Sequence, residues 1–565
     1  MRFAACVAGL MALVRAQPQA PTVATDCGPV SGTVDFARTT NAPAYRYSSI
    51  PFAAPPLGAL RWRPPAARAC PWSGTLNGSA LPDVCVQDGG TRGREDCLYL
   101  HVVTPATAPP PGGWPVLVYF HGGNLISGGT PGMLGPSAVM ATEVAGGAVV
   151  VAVAYRLNTL GWLADASFDM EARAGVAGNF GALDAIAGLQ WVRGNVAAFG
   201  GRPDDVTIFG QSSGGTLIFT LLAMPAADGL FSAAYSMSGS PNITMSHARK
   251  LAQDAPIVSA LNCGAQPAGP ARAACLRALP AGMVGAAMPS SWGTPGIFGW
   301  LPAGIPAPAA GGMAYAAIMH VDGAAVTLPL LDALLNQTVD CSVVISNMEA
   351  ECDGGPGVVL RNATAAQYAA AEAAAFRAWP GGGAAEAAAV QAAYAAEAAV
   401  DPQLAYDAIS ADYGLTCAGR ALGRALLAGR ARRTRPVYLL YNALQASPAQ
   451  WSPSGAGRWP KHGLDLDLLG RGWPAPPTAD DLAEAALMQR FLGDLATSRG
   501  GALPAAWAWP PVAGPDAPAD GALYTMVFAL PGGFPGGGTR AVEDFKAAQC
   551  AALGELAAQE YWWVD

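Results

Sequence analysis

Charge is scarce in this chain: only 13% of its 565 residues are Asp, Glu, Lys or Arg. They sum to a net charge of −8, a balance that argues against nucleic acid as a partner class. The one basic cluster, Arg430-Ala431-Arg432-Arg433-Thr434-Arg435, reads as a solvated helix end rather than a binding patch. Histidine is rarer still, with five residues: His101, His121, His247, His320 and His462. There is no C-x-x-C pair and no His-rich cluster, which argues against a structural zinc site or a redox dithiol, and neither metal nor cofactor is expected. Beyond the first residues no apolar run is long enough to cross a membrane. The C-terminal Tyr561-Trp562-Trp563-Val564-Asp565 carries neither an anchor-type tail nor a retention signal. Internal repeats and long linkers are also missing, so one large domain is expected.

What is present is apolar and suited to an oxidising compartment. Hydrophobic residues make up 52% of the chain, enough for a large core. Met1-Arg2, the apolar stretch from Phe3 to Val14 and the small residues that follow have the order of a secretory signal, placed at 1–16, with the domain at 17–565. Of eleven cysteines, Cys6 falls in that signal; the remaining ten are an even number fit for disulfides. Four N-x-[ST] sequons, at Asn77, Asn242, Asn336 and Asn362, fit a secreted glycoprotein.

Residues 27 to 52 read as short strands punctuated by turns. Val116-Leu117-Val118-Tyr119-Phe120 and Ala148 to Ala154 are continuous apolar runs, as strands buried on both faces of a parallel sheet should be. Between Asn179 and Phe199, Leu183, Ile186, Ala187, Leu189 and Val192 recur at helical spacing before the strand Val206 to Phe209. Strand alternating with helix predicts a doubly wound α/β layout. Helices are also expected over Leu251 to Leu261 and Ala271 to Leu279, and the alanine-rich residues 364 to 400 read as a helix pair broken at Pro380-Gly381-Gly382-Gly383. The Pro- and Gly-rich residues from about 225 to 340 are expected to hold substrate-shaping loops.

Gly210-Gln211-Ser212-Ser213-Gly214 follows the Val206 to Phe209 strand directly and precedes a helical stretch from Gly215 to Met224. A G-x-S-x-G turn of this kind has room for no side chain beside a serine whose hydroxyl must project from the sheet. A serine hydroxyl is a weak nucleophile, so it needs an imidazole to take its proton and an acid to orient that imidazole. In the α/β-hydrolase arrangement the chain order is Ser, then acid, then His. His462, in a loop after the predicted strand Val437 to Tyr441, is the natural base, whereas His247 and His320 read as structural.

A series of segments then resembles the type-B carboxylesterase family, which includes cholinesterases and several lipases. Ile50-Pro51-Phe52-Ala53-Ala54-Pro55-Pro56-Leu57-Gly58 running to Arg61-Trp62 is similar to the family's first signature, and Glu95-Asp96-Cys97-Leu98-Tyr99-Leu100 to its second. Tyr155-Arg156-Leu157, Leu160-Gly161-Trp162-Leu163, Gly178-Asn179-Phe180-Gly181, Trp191-Val192 and Phe199-Gly200-Gly201 lead in family order into the serine turn. The resemblance implies an α/β-hydrolase fold with a large, mostly parallel central sheet flanked by helices. It implies an acid near the end of a segment matched here by Ser346 to Glu351: Glu351 takes that place, with Glu349 its rival. His121-Gly122-Gly123-Asn124 resembles the family's H-G-G-G oxyanion loop, implying that the amides of Gly123, Asn124 and Ser213 face the oxyanion, with Asn124 a departure. By position the resemblance also implies the pairs Cys85–Cys97, Cys263–Cys275 and Cys417–Cys550. Cys27, Cys70, Cys341 and Cys352 are left over and are assigned as Cys27–Cys70 and Cys341–Cys352.

Only eleven residues separate Cys85 from Cys97, where related cholinesterases carry a choline-stacking tryptophan and related lipases a lid. A quaternary ammonium needs an aromatic face, and Gln211 stands where an acid is usual before the nucleophile. The expected activity is therefore hydrolysis of small, soluble carboxylic esters through an acyl-enzyme. The alternatives are a lipase with a relocated lid and a catalytically idle binding or adhesion protein. Trp292, Phe298 and Trp300 are candidates for an acyl pocket or for ordinary packing.

Overall fold

A computed structural model of the chain describes residues 20–172, 177–241, 243–289, 292, 318–351, 363–377, 383–429, 433–445, 447, 461–471, 475–531 and 538–554. The signal-like residues 1–16, Asn242, Phe298, Trp300, Cys352 and Asn362 lie outside them. Among the described residues eleven strands form the main sheet: β1 Thr33–Phe36, β2 Pro43–Pro51, β3 Tyr99–Pro105, β4 Trp114–Phe120, β5 Val149–Val153, β6 Gly201–Gln211, β7 Ala233–Met237, β8 Ser342–Met348, β9 Val437–Asn442, β10 Tyr524–Phe528 and β11 Arg540–Glu543. Their spatial order is β11-β10-β9-β8-β7-β6-β4-β5-β3-β2-β1. The strands from β10 across to β5 are parallel, and antiparallel strands finish both edges. A second, three-stranded sheet pairs Val23–Thr25, Gly28–Ser31 and Leu76–Asn77.

The continuous apolar runs have a simple cause. Successive strand side chains point to opposite faces, and here both faces are covered. Val116, Val118 and Phe120 of β4, with Val149, Val151 and Val153 of β5, enter one core. That core is closed by helices over Phe180–Asn195 and Ser213–Leu222. Leu117, Tyr119, Val150 and Ala152 enter the other, against helices over Leu134–Glu143 and Ala479–Thr497. A pattern that alternated apolar with polar would have left one face wet.

The helices foreseen near 251 and 271 run over His247–Ala260 and Pro270–Ala278. Among the described residues the alanine-rich segment holds three helices rather than a pair, Ala365–Ala375, Ala384–Ala393 and Ala395–Val400, with Gly383 in the left-handed region at φ 66°. Residues 430–432 of the basic cluster lie outside the described residues, and the described part is not a solvated helix end. Arg433 is buried, and its guanidinium donates to the carbonyls of Leu334 and Cys341. Arg435 pairs with Asp340 at 3.0 Å.

Sulfurs pair as Cys85–Cys97, Cys263–Cys275, Cys417–Cys550 and Cys27–Cys70. Among the described residues Cys341 is a buried free thiol, and Cys352, assigned to it above, lies outside them. The setting of Cys341 between the Arg433 anchor and the start of β8 makes it a packing residue.

Strand order positions the functional end of the sheet. From β4 the chain moves to β5 on one side and then crosses back to β6 on the other. The crevice beyond the carboxyl ends of β4 and β6 is thus a topological switch point, where α/β sheets place ligands. Phe120 is in register with Gly210 across that pair. The loops that leave the two strands therefore start side by side.

Candidate active site

Ser212 sits between β6 and the helix Ser213–Leu222, with φ 61° and ψ −131°. A non-glycine residue there is strained. The strain is held from both sides: the Ser212 amide donates to the Met237 carbonyl at 2.8 Å, and its carbonyl accepts from the Thr216 amide at 3.1 Å. Steric room explains the flanking glycines. A Cβ on Gly210 would lie 2.4 Å from the Gly214 oxygen, and one on Gly214 would lie 2.2 Å from the Phe120 oxygen. The helix that follows has no side-chain cap. Its first amides, Ser213 among them, are left for an external acceptor, with the positive end of the helix dipole behind them.

The loop after β4 lies against this turn. A Cβ on Gly122 would come within 2.6 Å of the Gln211 oxygen and 2.8 Å of the Ser212 Cβ. His121 is not a second base. Burial pushes its imidazole down to about 4, so it is neutral, and its Nδ1–H donates to the Gly122 carbonyl at 2.9 Å. The ring stacks on Tyr155 at 4.4 Å, and the Tyr155 hydroxyl donates to the His121 carbonyl at 2.5 Å. Gly123, Asn124 and Leu125 follow with φ of 117°, 57° and 57°. Asn124 thus takes the left-handed conformation that asparagine tolerates better than most residues. The Leu125 amide donates to Ser213 Oγ at 3.1 Å, which ties the loop to the helix start.

The loops after β8 and β9 bring a carboxylate and an imidazole together. His462 Nδ1 and Glu351 Oε2 are 2.5 Å apart, and the other Glu351 oxygen accepts from the Met348 amide at 2.7 Å. Glu351 is fully buried. Both of its oxygens accept, so His462 carries its proton on Nδ1 and keeps Nε2 as the basic nitrogen. Gly463, the next residue, packs on the side-chain amide of Gln211: a Cβ there would lie 3.6 Å from Nε2. The imidazole loop therefore borders the serine turn. Glu349 goes elsewhere. Burial lifts its carboxyl to about 7, and the charges around it are those of Lys546, Asp412 and Glu397.

Asp465 escaped the sequence reading, although it lies three residues after His462. It is fully buried, one oxygen accepts from the Leu466 amide at 2.9 Å, and burial and the Glu351 charge raise its carboxyl to about 7. Below that pH it is neutral, which spares the imidazole loop a second buried negative charge. Nothing in the spacing of His462-Gly463-Leu464-Asp465 singled it out, since burial is a tertiary property.

The family model described as Carboxylesterase family matches residues 19–307, just over half of the chain. This chain belongs to the carboxylesterase family. Similar curated proteins include a cocaine esterase of Homo sapiens, 38% identical over 258 residues, which are 42% of this chain and 44% of that protein. An acylcarnitine hydrolase of Mus musculus is 39% identical over 231 residues, 38% of this chain and 39% of that protein. A liver carboxylesterase of Sus scrofa is 39% identical over 241 residues, 40% and 41% of the two chains. The chain thus spans less than half the length of these relatives. A solved PNB esterase structure superposes with a TM-score of 0.67 at 22% identity, covering 94% of this chain and 99% of that one. That likeness places the carboxylesterase-family chain in the α/β-hydrolase fold.

A cavity of about 450 Å³ lies beside the site, lined by Gly122, Gly123, Gln211, Asp88 and Arg92 but not by Ser212, Glu351 or His462. Trp292 does not line it; that ring is buried, with Lys250 Nζ 4.1 Å from its centroid. His247 and His320 are structural, as their settings suggested: they bond to each other at 3.0 Å, and His247 also bonds to Asp169 at 2.9 Å. Among the described residues no helix is long and apolar enough to cross a membrane.

Proposed function

We propose that the chain is a secreted serine hydrolase that cleaves small-molecule carboxylic esters through an acyl-enzyme. Ser212 Oγ attacks the ester carbonyl while His462 Nε2 takes its proton. Glu351 holds the Nδ1–H tautomer and stabilises the imidazolium. The amides of Gly123, Asn124 and Ser213 receive the developing oxyanion; one lost donor in such a site costs ~10²–10³ in turnover. Collapse expels the alcohol, which takes its proton from His462. Water then attacks the acyl group with His462 again as base, and the carboxylic acid leaves as Ser212 is restored.

The observation that carries this reading is the 2.5 Å contact of His462 with the buried Glu351 in the loop beside the strained Ser212 turn. The names of the similar proteins, two esterases and an acylcarnitine hydrolase among them, support ester chemistry. Secretion is supported by the paired cysteines and by exposed sequon asparagines at Asn77 and Asn336. The test is a fluorophosphonate probe together with p-nitrophenyl esters of rising chain length. Wild type should be labelled and should turn over the short esters, and Ser212→Ala should do neither. Labelling that survives the substitution refutes the serine assignment; a rate that jumps above the solubility limit of long esters favours a lipase.

A further inference from the structure

The oxyanion loop is soft by composition. Residues 121–129 include four glycines, which contribute no side chains and leave the backbone free over much of φ,ψ space. Amides that must meet a developing charge cannot wander, so something outside the loop has to fix them.

Two supports have been described: Tyr155 at His121, and Ser213 at Leu125. The Leu125 carbonyl also accepts from the Asn158 amide at 2.8 Å. The far end is held by the short disulfide loop. Gln87, 3% exposed, donates from Nε2 to the Gly128 carbonyl at 2.8 Å and accepts at Oε1 from the Gly128 amide at 3.1 Å. One side-chain amide thus satisfies both backbone groups of a single glycine. A third bond, from Nε2 to the Cys85 carbonyl at 3.0 Å, fixes the amide's orientation.

Gly128 in turn bears on the residues that matter. Its φ is 101°, and a Cβ there would lie 2.3 Å from the Gly122 oxygen and 2.5 Å from His121 Nδ1. Fixing Gly128 therefore fixes the Gly122 carbonyl from below. Gln87 is itself rigid. Its backbone pairs with Arg92 in both directions, at 2.9 and 3.3 Å, inside the loop closed by Cys85–Cys97. The Asn158 side chain, whose backbone supports Leu125, donates to the Val86 carbonyl. Disulfide loop and oxyanion loop thus share one frame.

We infer that Gln87 is a positioning residue for the oxyanion loop, held in register by the Cys85–Cys97 bridge. This rests on the ester-hydrolase reading. The short loop, with no room for a lid or a stacking aromatic, serves as a brace for the transition state. Removing the brace should leave substrate binding nearly intact and weaken what is bound only at the tetrahedral stage.

The test uses Gln87→Ala and Gln87→Met, the latter keeping the volume without the hydrogen bonds should the former fail to fold. In the folded variant kcat on a short p-nitrophenyl ester should fall about tenfold to a hundredfold with KM nearly unchanged. Affinity for a trifluoromethyl ketone, whose hemiketal oxygen occupies the oxyanion position, should fall in parallel. Amide exchange over residues 122–128 should quicken in both variants. Unchanged kcat and unchanged exchange in folded Gln87→Met overturn the inference, as does an equal loss of affinity for the ketone and for a non-hydrolysable ground-state amide. A wild type that hydrolyses no ester overturns the hydrolase reading instead, and the exchange measurement then decides the brace by itself.

Discussion

Replacing Glu351 by Gln changes one atom and tests the imidazole's tautomer directly. In the native arrangement two donors, the Met348 amide at 2.7 Å and His462 Nδ1–H at 2.5 Å, each meet a carboxylate oxygen. A glutamine side chain has one oxygen and one NH₂. If the oxygen stays on the Met348 amide, the NH₂ faces Nδ1, which must give up its proton; the proton moves to Nε2 and the base is lost. If the oxygen turns to His462, the NH₂ faces the Met348 N–H, and two buried donors oppose each other. Either way the productive tautomer is disfavoured, and the carboxylate that would stabilise the imidazolium is gone. The expected loss in kcat is ~10³–10⁴-fold, or about 4–5.5 kcal/mol of barrier. Steady-state hydrolysis of p-nitrophenyl butyrate at pH 8 measures it, with thermal unfolding to confirm a folded variant. Glu349→Gln is the control, because that carboxyl sits among Lys546, Asp412 and Glu397. A folded Glu351→Gln enzyme that keeps more than a tenth of its kcat, or a Glu349→Gln enzyme that loses as much as Glu351→Gln, refutes the reasoning.

Gly122→Ala should fold yet lose roughly 10²-fold in kcat, since its methyl would press on the Gln211 oxygen at 2.6 Å and the Ser212 Cβ at 2.8 Å; a melting curve beside the kinetics separates displacement from unfolding, and an undiminished kcat would count against the packing argument. Asp465→Asn should alter the pH dependence of stability. A carboxyl at about 7 in the fold against its ordinary 3.8 binds more protons folded than unfolded between those values. Its contribution is fully present below about 4 and is lost as pH rises through about 7. The groups acting on it are Glu351, His462, Asp467 and the Leu466 amide. The asparagine should therefore be more stable than wild type at pH 8, on the order of 2 kcal/mol, and should gain little near pH 4; equal shifts at both pH values in urea titrations would show that the charge is not responsible.

Much of this site could be read before folding because its parts are local. The glycines around Ser212 are required by atoms within four residues and by the neighbouring strand Trp114–Phe120, so the pentapeptide and the preceding apolar run already mark the turn. Continuous apolar strands announce a sheet covered on both faces. His462 stood out because the chain has five histidines and only one lies late enough in a suitable loop. The sheet order, by contrast, depends on which strands meet across hundreds of residues, and no local pattern encodes that.

The amino-acid order by itself therefore determined the class of fold, the serine turn and the histidine proposed to serve it, because period, turn chemistry and scarcity are properties of the chain. The family resemblance favoured Glu351 over Glu349, and the tertiary structure gives the physical difference: two residues along a loop put one carboxylate on His462 and the other in the field of Lys546. Only the tertiary structure placed Gln87 under Gly128 and hid Asp465 from water. The physical reason is the same in each case. A side chain's partner, its burial and hence its charge state are fixed by residues remote in sequence, and those meet only when the sheet has closed.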